Sequence, residues 1–326
     1  MENTKENNIL VIGNGFDLYH ELKTKYIDFV KFTKKDLELS RTPFIKCFQM
    51  MADANDGWID CEDTIHGIIK LFDKILNEIC DTKKTYFSTK KLSKESMEII
   101  KVFEHYFIKR DTMYSSMQIT AELINGFNEF DKRKFLDSLK RDLDDTIRAL
   151  WHYLKFDLEQ AEEIKLSEQI KNIQPSYVIN FNYTNTVSEL YKVEEENIFY
   201  IHGNLKDESK NMVFGIPDDK EENLDFVYFK KYFQRIQKKT GVVERSRFHA
   251  NESERIPVNL HFFGHSLGLT DSDVIREITE MSDKMTIYYL DQSDYESKVI
   301  NLLHIFGKKD GVEKIQNGLI EFEPIQ

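Results

Sequence analysis

The sequence lacks paired cysteines, which excludes a disulfide framework and a four-cysteine zinc ribbon. Three cysteines, Cys47, Cys61 and Cys80, occur in 326 residues, and no two of them form a Cys-x-x-Cys pair. An odd number of widely spaced cysteines supports neither a disulfide framework nor a zinc ribbon of this kind. No N-terminal stretch has the pattern of a signal peptide, so we expect a chain that works in the reducing cytoplasm.

Long apolar runs and clusters of basic residues are also missing. The longest apolar runs, such as VNLHFF and TIYYL, fall far short of the roughly 18 to 20 residues that cross a bilayer, so we predict no membrane segment. Lys and Arg total 45 against 57 Asp and Glu, for a formal net charge of −12. Because non-specific affinity for nucleic acid depends on clustered cations, this balance does not favour a nucleic-acid partner. The histidines show no metal-ligand spacing, and we predict no metal site.

Proline is nearly absent between residues 36 and 173, where Pro43 stands alone. This stretch carries long segments with apolar residues at helical spacing, which predicts an insertion of about four or five helices. Trp58 and Glu62 are spaced to share one face of a helix within it. Core packing and an acid in the first helical turn are the ordinary explanation for that pair.

Short apolar runs bounded by turn residues occupy the rest of the chain. They are NILVI (8–12), SYVI (176–179), NIFYI (197–201), NMVFGI (211–216), VNLHFF (258–263) and MTIYYL (285–290). Helical segments lie between several of these runs, a pattern typical of a parallel sheet. We therefore predict an α/β fold with a Rossmann-like parallel sheet in residues 1–35 and 174–326, interrupted by a helical insertion at 36–173.

Glycines follow the first predicted strand in the segment Gly13-Asn14-Gly15-Phe16-Asp17. Ligands of parallel sheets bind at the carboxyl ends of strands, and glycine lets the backbone approach a phosphate closely. The segment is not a GxGxxG fingerprint because position 18 is leucine, which argues against a dehydrogenase cofactor site. A ligand-binding loop and a plain turn both remain open.

Polar residues also end two later strands. Asn180 to Asn185 holds three asparagines and Thr184, and we expect the amide of Asn182 to orient a ligand hydroxyl or a water. An asparagine-capped turn is the alternative. His202 ends the strand NIFYI, and the following Gly203 is expected to leave room for substrate, so His202 is a candidate general base. A purely structural histidine is the alternative.

The segment Gly264-His265-Ser266-Leu267-Gly268 matches GxSxG, the nucleophile elbow of α/β-hydrolases. Chain order permits a triad of Ser266 with His304 and either Asp291 or Asp294. An elbow launches a helix directly after its serine, whereas here LGLTDSD inserts a loop and a fresh helix cap. The serine-hydrolase hypothesis therefore ranks below a nucleotide site.

Taken together, these motifs resemble the AbiH family of bacterial abortive-infection proteins. The matching segments are GNGFDL (13–18), Tyr26 and Phe29, FNYTNT (181–186), YIHGN (200–204), FGI (214–216) and FFGHSLGLTDSD (262–273). They lie at both ends of the chain and are specific in combination. The helical middle matches through Trp58 and Glu62.

The order of the motifs also resembles a diverged sirtuin core. Sirtuins have a glycine loop after the first strand, a Thr-Gln-Asn segment, a catalytic His-Gly, a Phe-Gly and a Gly-Thr-Ser loop, in that order. The matching segments are 13–17, 180–184, 202–203, 214–215 and 264–266. Thr184 stands in place of an expected aspartate, Asp17 in place of a serine, and the zinc ribbon is absent, so hydrolysis of a nucleotide is expected instead of peptide deacetylation.

The two resemblances imply an anti-phage effector that binds NAD or a related nucleotide as its substrate and hydrolyses the N-glycosidic bond, with no further cofactor. His202 would be the general base, and Asn182 and Asp17 would orient ribose or water. The implied nucleotide-binding residues are Gly13, Asn14, Gly15, Phe16, Thr184, Gly203, Gly264 and Ser266. The alternatives are a non-catalytic nucleotide sensor, a nuclease and the serine hydrolase. A phage trigger, a partner defence protein or self-association through the helices is expected to control the activity.

Overall fold

A computed structural model describes residues 7–80, 92–106, 132–158, 164, 166–206, 208–217, 224–248 and 256–326. The chain forms two compact units. The first comprises Met1–Lys25, Trp151–Val213 and Gln234–Gln326, and the second comprises Tyr26–Leu150 and Phe214–Phe233. Part of the predicted helical insertion falls on 81–91 and 107–131, outside the described residues. The domain boundaries at residues 35 and 174 stay a prediction.

A parallel sheet of six strands forms the centre of the first unit. The strands are β1 (Asn7–Ile12), β2 (Tyr177–Asn180), β3 (Ile198–Tyr200), β4 (Val258–Phe263), β5 (Lys284–Tyr289) and β6 (Ile320–Pro324). They lie in the order β3-β2-β1-β4-β5-β6, and every neighbouring pair is parallel. The predicted α/β fold with a Rossmann-like parallel sheet is therefore confirmed.

Burial on both faces explains why the strands read as continuous apolar runs. Ile9 and Val11 of β1 pack into a cluster on one face of the sheet. Leu10 and Ile12, which point the other way, pack into a second cluster together with Phe16 and Phe263. Each face therefore has its own core, and the strand ends are held firmly in place.

Twelve α-helices lie within the described residues. They are α1 (Asn14–Tyr19), α2 (Tyr26–Thr33), α3 (Pro43–Ala54), α4 (Cys61–Cys80), α5 (Lys94–Val102), α6 (Lys132–His152), α7 (Glu168–Ile173), α8 (Thr186–Tyr191), α9 (Lys231–Lys238), α10 (Ser272–Thr279), α11 (Gln292–Phe306) and α12 (Lys308–Gln316). A π-helical turn, Tyr153–Asp157, follows α6. None of the helices in this part of the chain is both long enough and apolar enough to cross a membrane.

One predicted strand is wrong, and one strand was missed. Residues 211–216 form no strand, because Val213 N–H bonds to His202 O and Ile216 N–H bonds to Phe229 O instead of joining the ladder. Ile216 makes just an isolated bridge with Lys230. Strand β6 was missed because its sequence, IEFEP, alternates with glutamate and ends in proline. Its edge position beside β5 tolerates both residues.

Aromatic packing holds the second unit together. The ring of Phe103 lies 5.4 Å from that of Phe44 and 5.1 Å from that of Phe72, and Phe72 lies 5.2 Å from Phe135. These contacts are edge-to-face, the geometry that aromatic pairs prefer. Phe44, Phe72 and Phe103 are fully buried, so helices α3, α4 and α6 share a common core with the segment after α5.

Trp58 and Glu62 do not share a helix face, which corrects the sequence prediction. Helix α4 begins at Cys61, because the Asp60 carboxylate accepts the Asp63 N–H at 3.0 Å and caps that end. Trp58 therefore lies in the preceding turn, where its N–H donates to Asn55 O. Trp58 is 70% exposed, whereas the Glu62 side chain is 12% exposed.

Candidate functional site

The connections that follow β1 and β4 meet at the carboxyl edge of the sheet. The Gly15 N–H donates to the Gly264 carbonyl at 2.8 Å. β1 and β4 are the central neighbours at which the strand order reverses. In open parallel sheets, ligands bind outside the carboxyl ends of the strands at this reversal. The candidate site of the first unit therefore lies at the carboxyl ends of the strands, where the sequence motifs occur.

Three glycines allow these two connections to approach so closely. A Cβ on Gly15 would lie 2.7 Å from the Gly264 carbonyl oxygen, and one on Gly264 would lie 2.1 Å from Phe16 N. A Cβ on Gly13 would lie 2.9 Å from His265 Cδ2. Gly264 also has a φ of +65°, which favours glycine. The space that these glycines leave is therefore filled by the chain itself.

A buried polar network joins the ends of β1 and β2. The Asn182 amide donates to the Gly13 carbonyl at 2.9 Å, and the Thr184 hydroxyl donates to Asp17 Oδ2 at 2.6 Å. Asn180 supports this turn, accepting the Asn182 N–H at 2.8 Å and donating to Thr184 O at 3.0 Å. The structure thus brings together Gly13, Asp17, Asn182 and Thr184.

Asp17 is the carboxylate at the centre of this network, and it is 1% exposed. Burial raises its pKa from 3.8 to about 6, and hydrogen bonding from the hydroxyls of Thr184 and Thr186 opposes that rise. Its Oδ1 meets no donor in hydrogen-bond geometry within the described residues. Buried carboxyl groups with a raised pKa are common at functional sites.

His202 follows β3 and lies beside Asp271. Its Nε2 is 3.0 Å from Asp271 Oδ1, and the two side chains are 6% and 13% exposed. A carboxylate at this distance orients an imidazole and stabilises its protonated form. Gly203 has a φ of +77°, and a Cβ there would lie 2.1 Å from the Asn211 carbonyl oxygen. Glycine at 203 is thus required by the turn itself.

The connection between β4 and α10 crosses the carboxyl edge of the sheet. Gly264 of this connection accepts the N–H of Gly15, which follows β1. At its other end, Asp271 contacts His202, which follows β3. Between these two points the His265 ring lies 4.3 Å from the Phe181 ring, and Phe181 lies 5.6 Å from His202. Residues 264–271, here called the crossing loop, therefore cover the ends of β1 and β2.

Three of the predicted binding residues lie apart from this network. Asn14 and Ser266 are exposed on the surface. Phe16 is fully buried, its ring 6.2 Å from Phe263 and 4.5 Å from His20, within the core on one sheet face. Asn14 and Ser266 are available to a ligand outside the strand ends, whereas Phe16 supports the loop from beneath.

The surroundings of Ser266 differ from a nucleophile elbow. Leu267 follows with a φ of +55°, and α10 begins only at Ser272. Both candidate triad acids serve local structure: Asp291 Oδ1 accepts the Asp294 N–H at 2.9 Å, and Asp294 binds Lys298 Nζ at 2.7 Å. The strand–serine–helix geometry on which a hydrolase elbow depends is not formed here.

Asp271 is the site residue that the sequence reasoning missed. It lies in the segment TDSD, which was interpreted as a helix cap following the GxSxG motif. The signal in the sequence was its position near the end of the segment FFGHSLGLTDSD (262–273), which carries several of the motif residues. Among the described residues, no three His, Cys, Asp or Glu side chains are grouped so that they could hold a metal ion.

The second unit contains a separate charged contact built from motif residues. Glu62 Oε2 lies 2.9 Å from Lys231 Nζ, with side chains 12% and 4% exposed. Glu62 Oε1 accepts the N–H of Gly215, from the FGI segment, at 3.3 Å. A buried pair of this kind is costly to desolvate, and removing one member leaves the other poorly compensated.

A comparison with protein families matches this chain to the model described as "Bacteriophage abortive infection AbiH" over residues 9–291. This chain belongs to the AbiH family. The match begins in β1 and ends beyond β5, so it includes every strand-end motif of the candidate site. No curated protein and no solved structure gave a significant match. Membership in AbiH implies a role in defence against phage by abortive infection.

Proposed function

We propose that this AbiH-family protein is a defence effector that hydrolyses the N-glycosidic bond of NAD or a related nucleotide. The observation that carries the proposal is the buried His202–Asp271 pair at the carboxyl edge of the sheet. Sheets with the strand order 3-2-1-4-5-6 commonly bind dinucleotides at this edge. The sirtuin-like order of the motifs points to NAD among them.

The proposed reaction uses water as the second substrate. Water attacks the ribose carbon as its bond to the nicotinamide nitrogen breaks, and the electron pair of that bond leaves with nicotinamide. The products are nicotinamide, ADP-ribose and one proton. His202 accepts the proton from the attacking water, and the Asp271 carboxylate stabilises the resulting imidazolium.

Polar groups that follow β1 and β2 would favour the transition state. Positive charge builds on the ribose as the bond breaks, and a fixed carboxylate or amide oxygen nearby stabilises it electrostatically. Asp17 and Asn182 are the candidates, because they lie shortly after β1 and β2 and are held by hydrogen bonds. Asn14 and Ser266, which are exposed, are proposed to contact the nucleotide from outside, and Gly13 and Gly15 let the two loops form the floor.

Access to His202 requires the part of the crossing loop before Asp271 to move, because the His202 side chain is 6% exposed. The loop begins at Gly264 and also contains Gly268, two residues at which the backbone can rotate freely. A closed resting site would protect the host from continuous loss of NAD. A phage component or a partner defence protein is proposed to open it.

Nicotinamide release from NAD, followed by chromatography with purified protein, tests the proposal. We expect release by the wild type once a phage lysate is added, and a fall in kcat of roughly 10²- to 10⁴-fold in His202→Ala under the same conditions. His152→Ala is the matched control, because His152 is a half-exposed histidine remote in sequence from the strand-end motifs. Its kcat should equal that of the wild type.

Three other outcomes would redirect the assignment. Nucleotide bound without any nicotinamide release, even with a phage lysate added, would favour a sensor. Full activity in His202→Ala would contradict the role of His202. Covalent labelling of Ser266 by a fluorophosphonate would instead support the serine hydrolase.

A further inference from the structure

Arg235 is a buried cation on α9 that lies beside the end of β3. It is 8% exposed. A Cβ on Gly241 would lie 2.7 Å from Arg235 Cδ and 2.7 Å from the Ile201 carbonyl oxygen. The aliphatic part of Arg235 therefore packs against the turn that contacts the residue immediately before His202.

The guanidinium end of Arg235 reaches the element that carries Asp271. Its Nη2 donates to the carboxylate of Asp273, in the first turn of α10. Asp271 immediately precedes that helix and pairs with His202. Arg235 thus connects the end of β3, which carries His202, with the start of α10, which holds Asp271.

Further hydrogen bonds tie the end of α9 to β3. The Thr240 N–H donates to Arg235 O at 3.1 Å, and the Thr240 hydroxyl donates to Tyr200 O at 3.2 Å. The Gly241 N–H also donates to Tyr200 O, at 3.3 Å. Arg235 therefore projects from a helix end that is fastened to the strand leading to His202.

Stability alone gives a poor account of Arg235. Its Nη1 is buried and has no hydrogen-bond partner among the described residues. An unsatisfied buried donor is costly, and because Asp273 is 50% exposed, its ion pair with Arg235 adds little stability to offset that cost. A positioning role explains why a cation occupies this place.

We propose that Arg235 is a positioning residue that, through Asp273, holds Asp271 against the His202 ring. The inference rests on the catalytic role proposed above for His202. Without the Arg235–Asp273 ion pair, the first turn of α10 loses a charged contact with α9. Asp271 is then expected to occupy several positions, and small misplacements of a catalytic group reduce rates strongly.

Nuclear magnetic resonance of protein labelled with ¹⁵N in histidine tests the geometry without any substrate. The Asp271→Asn variant identifies how the His202 ring signals move when the carboxylate is lost. We expect Arg235→Met and Asp273→Asn to move those signals in the same direction, and Arg235→Lys to give a smaller shift. Arg276→Met, which removes an exposed cation from the same α10, should leave them unchanged.

A purely structural role for Arg235 would give a different result. The melting temperature would fall in Arg235→Met while the His202 signals kept their wild-type positions, and that outcome would overturn the inference. If Arg235→Met does not fold, Asp273→Asn decides, because it changes a side chain that is 50% exposed.

Enzyme kinetics add an arm that separates this inference from the proposed function. If the wild type is active, Arg235→Met should lower kcat roughly 10- to 100-fold with little change in KM. The substitution disturbs the position of the His202 ring and leaves the contacts to the ligand in place. Recovery of most of the activity in Arg235→Lys would support positioning by charge. If the wild type releases no nicotinamide, the proposed function fails, and the histidine signals still decide whether Arg235 positions Asp271.

Discussion

Nε2 of His202 lies 3.0 Å from Oδ1 of Asp271, although the two residues follow strands that are not neighbours. His202 follows β3 at one edge of the sheet, and Asp271 follows β4, with β2 and β1 between them. The crossing loop spans those two strand ends. The catalytic pair proposed here therefore depends on the end of that loop, at Asp271, staying beside His202.

Replacing Asp271 by asparagine is expected to lower kcat for nicotinamide release roughly 10- to 100-fold, because a carboxylate–imidazolium contact contributes on the order of 1.5–3 kcal/mol. Steady-state assays across pH measure the change. Asp310→Asn, which alters an exposed aspartate on α12, is the control and should behave as the wild type. Equal activity in the two variants would remove Asp271 from the mechanism.

Asp17→Asn is expected to stabilise the first unit above pH 6 and to leave it nearly unchanged below pH 4. The native pKa is raised to about 6 from 3.8, so the folded state holds a proton that the unfolded state has lost. The contribution of Asp17 is therefore full below pH 4 and is lost as pH rises through 6. The difference is on the order of 2–3 kcal/mol.

Urea unfolding at pH 4 and pH 7.5 measures this effect. The two tryptophans, Trp58 and Trp151, lie in different units, so a Trp58→Phe background reports on the first unit through Trp151. An equal change in the free energy of unfolding at both pH values would contradict the assignment. Asp17→Asn should also lose NAD cleavage, since the asparagine carries no charge.

Gly264→Ala is expected to lower the free energy of unfolding of the first unit by roughly 3 kcal/mol or more, because backbone strain and overlap add. The new Cβ would lie 2.1 Å from Phe16 N at a φ of +65°. Gly318→Ala is the matched control, with a φ of +70° and nothing within 4 Å. It should cost roughly 1 kcal/mol from strain alone. Equal losses of unfolding free energy in Gly264→Ala and Gly318→Ala would show that the close contact between Gly264 and Phe16 does not contribute to stability.

Glu62→Gln is expected to destabilise the second unit by roughly 3 kcal/mol or more, since it leaves the buried Lys231 ammonium without its carboxylate. Denaturation in a Trp151→Phe background follows this unit through Trp58. Asp53→Asn is the control, because it breaks the exposed Lys34–Asp53 pair of the same unit, whose side chains are 41% and 69% exposed. That loss should be below about 1 kcal/mol, and similar losses in both variants would contradict the expectation.

Local patterns in the sequence predicted most of the sheet. Strands β1 to β5 coincide with the apolar runs chosen from the sequence, because a strand buried on both faces must be apolar throughout. Residues 211–216 have the same apolar character and no ladder partner, so composition could not distinguish them. Strand β6 escaped notice because an edge strand keeps one side open to solvent and tolerates glutamate.

For the candidate site, the sequence predicted several of the residues but not the contacts between them. Asp17, Asn182 and His202 were chosen because polar residues after buried runs mark strand ends. Glycine at 13 and 15 was interpreted as space for phosphate, whereas Gly264 of the neighbouring loop fills the space beside Gly15. Nothing in the local sequence specified that Asp271, rather than another acid, would face His202.

Residue patterns along the chain specified strands β1 to β5 and the polar residues that follow them, since these depend on neighbours in the sequence. The tertiary structure alone decided the strand order 3-2-1-4-5-6, and with it the path of the crossing loop. The pairing of His202 with Asp271 and of Arg235 with Asp273 follows from that order. Contacts between residues distant in sequence depend on how strands are arranged, which local hydrophobic periodicity does not specify.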